Sequence, residues 1–115
     1  VIEEVLTSTT VLVANPAALK GKREKIDELT LALESVIRAK GQCYLMMNVH
    51  RGALADVREV LPGLSGPTVM DVASDENLVA VHAVVKEEPV YQLINQLKQA
   101  GAKDILVMPI ERIIR

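Results

Sequence analysis

The feature that most constrains the fold is the order in which two hydrophobic periodicities alternate between residues 42 and 110. Residues 43–49 form a nearly continuous apolar run of strand length, and residues 53–61 then repeat Leu54, Val57 and Leu61 at helical spacing. Pro62-Gly63 breaks that helix, and residues 68–72 form a short strand. Ser74-Asp75-Glu76-Asn77 is a turn cluster of the kind that joins antiparallel strands, and the next strand covers residues 78–85. Glu87, Glu88 and Pro89 open a helix with negative charge at its positive end, and its apolar face is Val90, Leu93, Ile94 and Leu97. Gly101 stops it, and residues 104–110 supply the last strand. The order β-α-β-β-α-β predicts an α+β, ferredoxin-like sandwich, with two helices on one face of a four-stranded antiparallel sheet.

The strand at 78–85 is apolar on both faces: Val79, Val81, Ala83 and Val85 alternate with Leu78, Ala80, His82 and Val84. The helices account for one face only. The other predicts self-association through the sheet, because an exposed apolar patch of that size is uncommon on a soluble monomer.

Upstream, Asn15-Pro16 is a helix-start signal, with an Asn able to cap free N–H groups and a Pro that has no N–H to lose. A single long helix is expected to about Lys40, stopped at Gly41, with a buried stripe of Leu19, Ile26, Leu29, Leu33 and Ile37. Its other face carries Lys20, Lys22, Arg23 and Lys25, but Glu24, Asp27 and Glu28 interrupt them, so it reads as a solvated face. Before that helix come two strand-like runs, residues 1–6 and 10–13, with no sheet of their own. A two-stranded hairpin is marginal alone in water, which suggests that the chain begins inside something larger.

Composition narrows the function. With 115 residues, 13 basic and 15 acidic side chains and two tyrosines as the only aromatics, there is no broad basic field for phosphates and little to stack on bases. Nucleic-acid binding is not expected, and neither is a membrane span, since no apolar run reaches the roughly 18 residues required. The lone Cys43 excludes a disulfide scaffold and suits a reducing cytosol. No phosphate-loop, dinucleotide-binding, zinc-helix or C-x-x-C motif is present. Cys43 with His50 could be imagined as a nucleophile pair, but a cysteine in an apolar strand reads as a buried hydrophobe. His82 lacks a second metal ligand at useful spacing and reads as a sheet-face histidine; Met46-Met47 reads as core filling. The segment 61–68, Leu-Pro-Gly-Leu-Ser-Gly-Pro-Thr, has hydroxyls at Ser65 and Thr68 and could bind the head of an amino acid, though a plain connector is the simpler reading.

Four ordered blocks then carry a resemblance: Tyr44-Leu45-Met46-Met47-Asn48; Leu61-Pro62-Gly63-Leu64-Ser65-Gly66-Pro67-Thr68-Val69; Val79-Ala80-Val81-His82-Ala83-Val84-Val85; and Gly101-Ala102-Lys103-Asp104-Ile105-Leu106-Val107-Met108-Pro109-Ile110-Glu111. Together they resemble the carboxyl-terminal part of the long form of ATP phosphoribosyltransferase, the family that performs the first step of histidine biosynthesis. Residues 8–16, Ser-Thr-Thr-Val-Leu-Val-Ala-Asn-Pro, are similar to the end of its catalytic region. The resemblance implies three parts: 1–16 as terminal strands of the catalytic region, 17–41 as a connecting helix, and 42–115 as a PII/ACT-like regulatory domain. It also implies a cytoplasmic homo-oligomer, trimer or hexamer, with magnesium needed only by the catalytic part. L-Histidine would be the ligand, for allosteric feedback inhibition. The implied histidine-binding positions are Asn48, Leu64, Ser65, Thr68, Val84 and Asp104, with none catalytic in this chain. Val49-His50 stands where many members have Ala-Pro, and Leu78 where many have Trp. The competing reading is a trimerisation module without ligand binding.

Overall fold

The computed structural model describes residues 3–61 and 66–115, and these divide into two compact units, 1–33 and 34–115. In the first, the described residues 3–14 form neither helix nor strand and are exposed. The described parts of the expected runs, 3–6 and 10–13, are therefore not strands here. An extended segment becomes a strand only when another segment takes up its N–H and C=O groups.

Helix α1 (Pro16–Gly21) starts as expected, with Asn15 Oδ1 accepting from the Ala17 N–H at 2.8 Å. The helix does not run on unbroken. Lys22 leaves helical geometry at φ −128°, ψ 31°, and α2 (Arg23–Ala39) begins behind it, with Lys22 O accepting from Ile26 N. Gly21 at the junction is among the poorest helix formers, so the interruption falls where propensity is weakest.

The expected buried stripe of α2 is also corrected. Leu29, Leu33 and Ile37 are exposed, Ile37 by 71%, whereas Ser35 and Ala39 are buried. Periodicity marks a face able to be buried; it does not supply the surface that buries it. The charged face is solvated as expected, with ion pairs Arg23–Asp27 at 3.3 Å and Lys25–Glu28 at 3.4 Å.

The second unit holds the sheet. Strand β1 (Gln42–His50) leads through a 3-10 turn (Arg51–Ala53) into α3 (Leu54–Val60). Then follow β2 (Thr68–Asp71), β3 (Leu78–Lys86), α4 (Val90–Ala100) and β4 (Ala102–Pro109). The strand order is β2-β3-β1-β4, with every pairing antiparallel. This is an α+β unit with the expected element order, and each strand lies within two residues of its expected ends. The predicted break at Pro62-Gly63 lies outside the described residues; α3 stops just before it, at Val60.

The core is made by alternation. Cys43, Leu45, Met47 and Val49 of β1 and Val79, Val81, Ala83 and Val85 of β3 point one way and are buried with Val57, Leu61, Val90 and Leu97. The phase expected for residues 78–85 is therefore observed. Met47 belongs to the core, whereas its neighbour Met46 is half-buried on the opposite face.

Three local devices hold this unit together. Arg51 donates from Nε to Glu76 O and from Nη2 to Asp71 Oδ1, both at 2.6 Å, tying the end of β1 to the turn between β2 and β3. Between Met46 and Asn48 of β1, strand β4 carries an extra residue, and Asp104 there takes φ 54°. Such a bulge needs a left-handed residue, which Asp tolerates better than most. Gly101 ends α4 at φ 109°, and a Cβ there would lie 2.9 Å from the Ala53 Cβ.

Gly101→Ala should therefore destabilise by about 1–2 kcal/mol from backbone handedness alone, with the contact to Ala53 adding to it; a thermal melt reads the loss. Val81→Asp, at a fully buried position, should cost several kcal/mol or prevent folding. An unmoved melting curve would contradict the assignment of Val81 to the core.

Candidate functional site

The face of the sheet opposite the helices is where the described residues of the expected site fall. Pairing registers give its rows: Thr68, His82, Met46 and Leu106 lie side by side across the four strands. One row further lie Val84, Tyr44 and Met108, and on the other side Met70, Ala80, Asn48 and Lys103. Tyr44, Met46, Asn48, Leu78, His82 and Val84 are all half-buried, so the double-sided apolar character read from β3 belongs to a real second surface.

Two clusters form on it. In the first, Asn48 Nδ2 donates to Asp104 Oδ2 at 3.2 Å, joining residues 56 positions apart. The β-bulge makes this possible, because it displaces Asp104 from the regular ladder beside Asn48. An exposed carboxylate braced by an amide is a suitable acceptor for a ligand's ammonium group.

The second cluster surrounds a depression of about 490 Å³ walled by Tyr44, Gly66, Thr68, Met70, His82 and Val84. Thr68 opens β2 directly opposite His82. The Tyr44 hydroxyl and His82 Nδ1 are hydrogen-bonded, and the two rings meet edge to face with centroids 5.6 Å apart. The lining is apolar apart from that pair and the threonine, the composition common to small-molecule pockets.

Of the six expected positions, the structure thus brings Asn48 to Asp104 and Thr68 to Val84, while Leu64 and Ser65 lie outside the described residues. The two pairs are not one cluster. Two strand spacings and two residues separate the Thr68 and Asn48 Cα atoms by about 12 Å. Tyr44 and His82, which the sequence reading left out of the site, stand in the depression. Their signal was their place at alternate, outward positions of neighbouring strands, which acquires meaning only once the register is known.

The other candidates resolve simply. Cys43 is buried in the core, and burial, with a smaller contribution from the negative charge of Glu87, pushes its thiol above the ordinary cysteine range. His50 is exposed at the end of β1. Among the described residues, no three His, Cys, Asp or Glu side chains converge to hold a metal ion, and no helix is long and apolar enough to cross a membrane. Because the folded state holds the Cys43 proton more tightly than the unfolded state, stability should fall as pH rises from the ordinary cysteine pKa towards the raised one. Alkylation at mildly alkaline pH should be slow until denaturant is added; rapid labelling of the folded protein would contradict the burial.

Comparison with known proteins places this architecture. The model of the family described as "HisG, C-terminal domain" matches residues 39–112. Over 115 residues the chain is 54% identical to an ATP phosphoribosyltransferase of Methanocella arvoryzae, covering 100% of this chain and 40% of that protein. It is 47% identical over 116 residues to the ATP phosphoribosyltransferase of Methanocaldococcus jannaschii and 45% identical over 114 residues to that of Methanopyrus kandleri. In both cases the match takes in 99% of this chain and 40% of the relative, so the chain spans well under half the length of these relatives. A family match across both sheet halves and both packed helices leaves one conclusion: the chain belongs to the HisG C-terminal domain family.

Proposed function

We propose that this chain is the regulatory portion of an ATP phosphoribosyltransferase and that it binds L-histidine, the end product of the pathway that such an enzyme opens. The observation that carries the reading is the family match over residues 39–112, together with whole-chain similarity to proteins of that name. The element order β-α-β-β-α-β and the strand order β2-β3-β1-β4 support the reading, since they are what the expected split βαβ regulatory domain requires. Residues 42–115 are this domain, 17–41 the connector, and 1–16 the end of a catalytic region elsewhere in the protein. Magnesium and the phosphoribosyl transfer belong to that region, and the protein works in the cytoplasm.

On the open face, the Asp104 carboxylate braced by Asn48 receives the ammonium group of the ligand, and the depression beside Thr68 and Val84 receives its side chain. Leu64 and Ser65, the other two implied positions, lie outside the described residues. Regulation is a population shift: histidine must bind the inhibited arrangement better than the active one, or it shifts nothing.

A second reading has its own observation. Leu106 and Met108 continue the apolar rows of Met46 and Tyr44 and are exposed, as expected of a sheet that self-associates as a trimer or hexamer. A module that only assembles would need these residues but neither Asn48 nor Thr68.

Calorimetric titration of L-histidine, with D-histidine as control and oligomer size followed in parallel, separates the two. Saturable, L-selective binding is expected. Thr68→Val with Ser65→Ala should weaken it about tenfold, the equivalent of one or two hydrogen bonds, without changing oligomer size. Absence of binding by a well-folded oligomer would favour the assembly module.

A further inference from the structure

We propose that the segment after β4, residues 110–115, is a strap that couples occupancy of the open sheet face to the end of helix α2. The proposal rests on the ligand-sensing reading above and supplies a structural link that the reading lacks.

The hold on the helix is made by backbone. β4 ends at Pro109, and residues 110–115 form neither helix nor strand. Ile113 N–H nevertheless donates to Ser35 O at 2.9 Å. A carbonyl has two lone pairs, so a helix carbonyl can accept such a bond without giving up its place in the helix. The contact brings main chain against main chain, which a bulky side chain would obstruct. Ser35 and Ala39 lie one turn apart and are buried, whereas the larger Leu33, Val36 and Ile37 are exposed. At this end, then, α2 buries small side chains and leaves large ones outside, a choice that suits a closely laid backbone.

The strap also borders the open face. A hollow of about 680 Å³ is walled by Tyr44, Val84 and Met108 of the sheet and by Ile110, Ile113 and Ile114 of the strap. Val84, Tyr44 and Met108 are register neighbours on β3, β1 and β4. Tyr44 and Val84 wall the depression beside Thr68 as well, so the two hollows share these side chains. A ligand packed on Tyr44 and Val84 is more enclosed with the strap docked than with it released, and so binds the docked form better.

Docking is finely balanced. Ile110 and Ile113 are only half-buried and Ile114 is exposed by 66%, while ordering an irregular segment costs conformational entropy. Weakly buried segments of this kind open locally at little cost, and a modest difference in ligand affinity shifts their equilibrium. By reciprocity, the ligand docks the strap and the docked strap tightens the ligand. The docked strap in turn steadies residues 35–39, the end of the helix that the proposed function makes the connector.

The test is hydrogen exchange on the full-length protein with and without L-histidine, beside calorimetry and an assay of L-histidine inhibition of phosphoribosyl transfer. Ile113→Pro removes the donated N–H, Ile113→Ala keeps it, and a protein cut after Pro109 lacks the strap. Without ligand, the amides of residues 36–39 should exchange about tenfold faster in Ile113→Pro and in the cut protein, the equivalent of one hydrogen bond. Ile113→Ala should change them little. L-Histidine should slow this exchange in the unaltered protein but not in the cut one, which should bind it a few-fold more weakly and be inhibited less. Identical ligand-free exchange at 36–39 in all four proteins would overturn the strap. Equal protection by L-histidine with and without residues 110–115 would overturn the coupling while histidine binding stands. No binding of L-histidine by the unaltered protein would overturn the sensor reading and the coupling together.

Discussion

Everything in the second unit depends on β1 being paired along both edges. It pairs with β3 over nine register positions and with β4 on its other side, so its polar backbone is satisfied within the sheet and its side chains can be buried. Four consecutive alternate positions, Cys43, Leu45, Met47 and Val49, go to the helices. The intervening residues Tyr44, Met46 and Asn48 are thereby committed to the opposite surface, because a pleated strand allows no other distribution. The candidate site is in this sense a by-product of core formation: once the core alternates, the set of residues on the open face is fixed.

That dependence explains what was legible in the sequence and what was not. The strands at 42–50 and 78–86 and the helix at 90–100 announced themselves because their periods are long, strong and bounded by Gly41, Pro89 and Gly101. Asn48 and Asp104 came from resemblance, and their contact requires a bulge that no local signal marks. His82 was read as a sheet-face histidine, but its contact with Tyr44 was not legible, because that pairing is a matter of register between segments 38 residues apart. The reading of α2 failed differently. Leu29, Leu33 and Ile37 have the spacing of a buried stripe, yet they are exposed here; amphipathicity describes a helix, while burial describes a helix and its neighbour.

The open face sets apolar residues beside a few polar groups, Asn48, Asp104, Thr68 and the Tyr44–His82 pair, so the proposed ligand and the alternative, assembly, would draw on the same surface. Coupling between ligand and assembly needs no long pathway when both use one surface, because a ligand seated there directly changes what a second surface can pack against.

The bulge at Asp104 has one more effect. Lys103 opposes Asn48 and Leu106 opposes Met46, so two residues three apart in β4 share one side of the sheet. In an unbulged strand, an odd spacing would place them on opposite sides. The single extra residue thus works as a phase shifter. Before it, the strand shows charge to the open face; after it, the same face receives Leu106 and Met108, while Ile105 packs against the core. Loss of one residue at this point would not merely shorten β4; it would exchange the inner and outer halves of the strand from there onward.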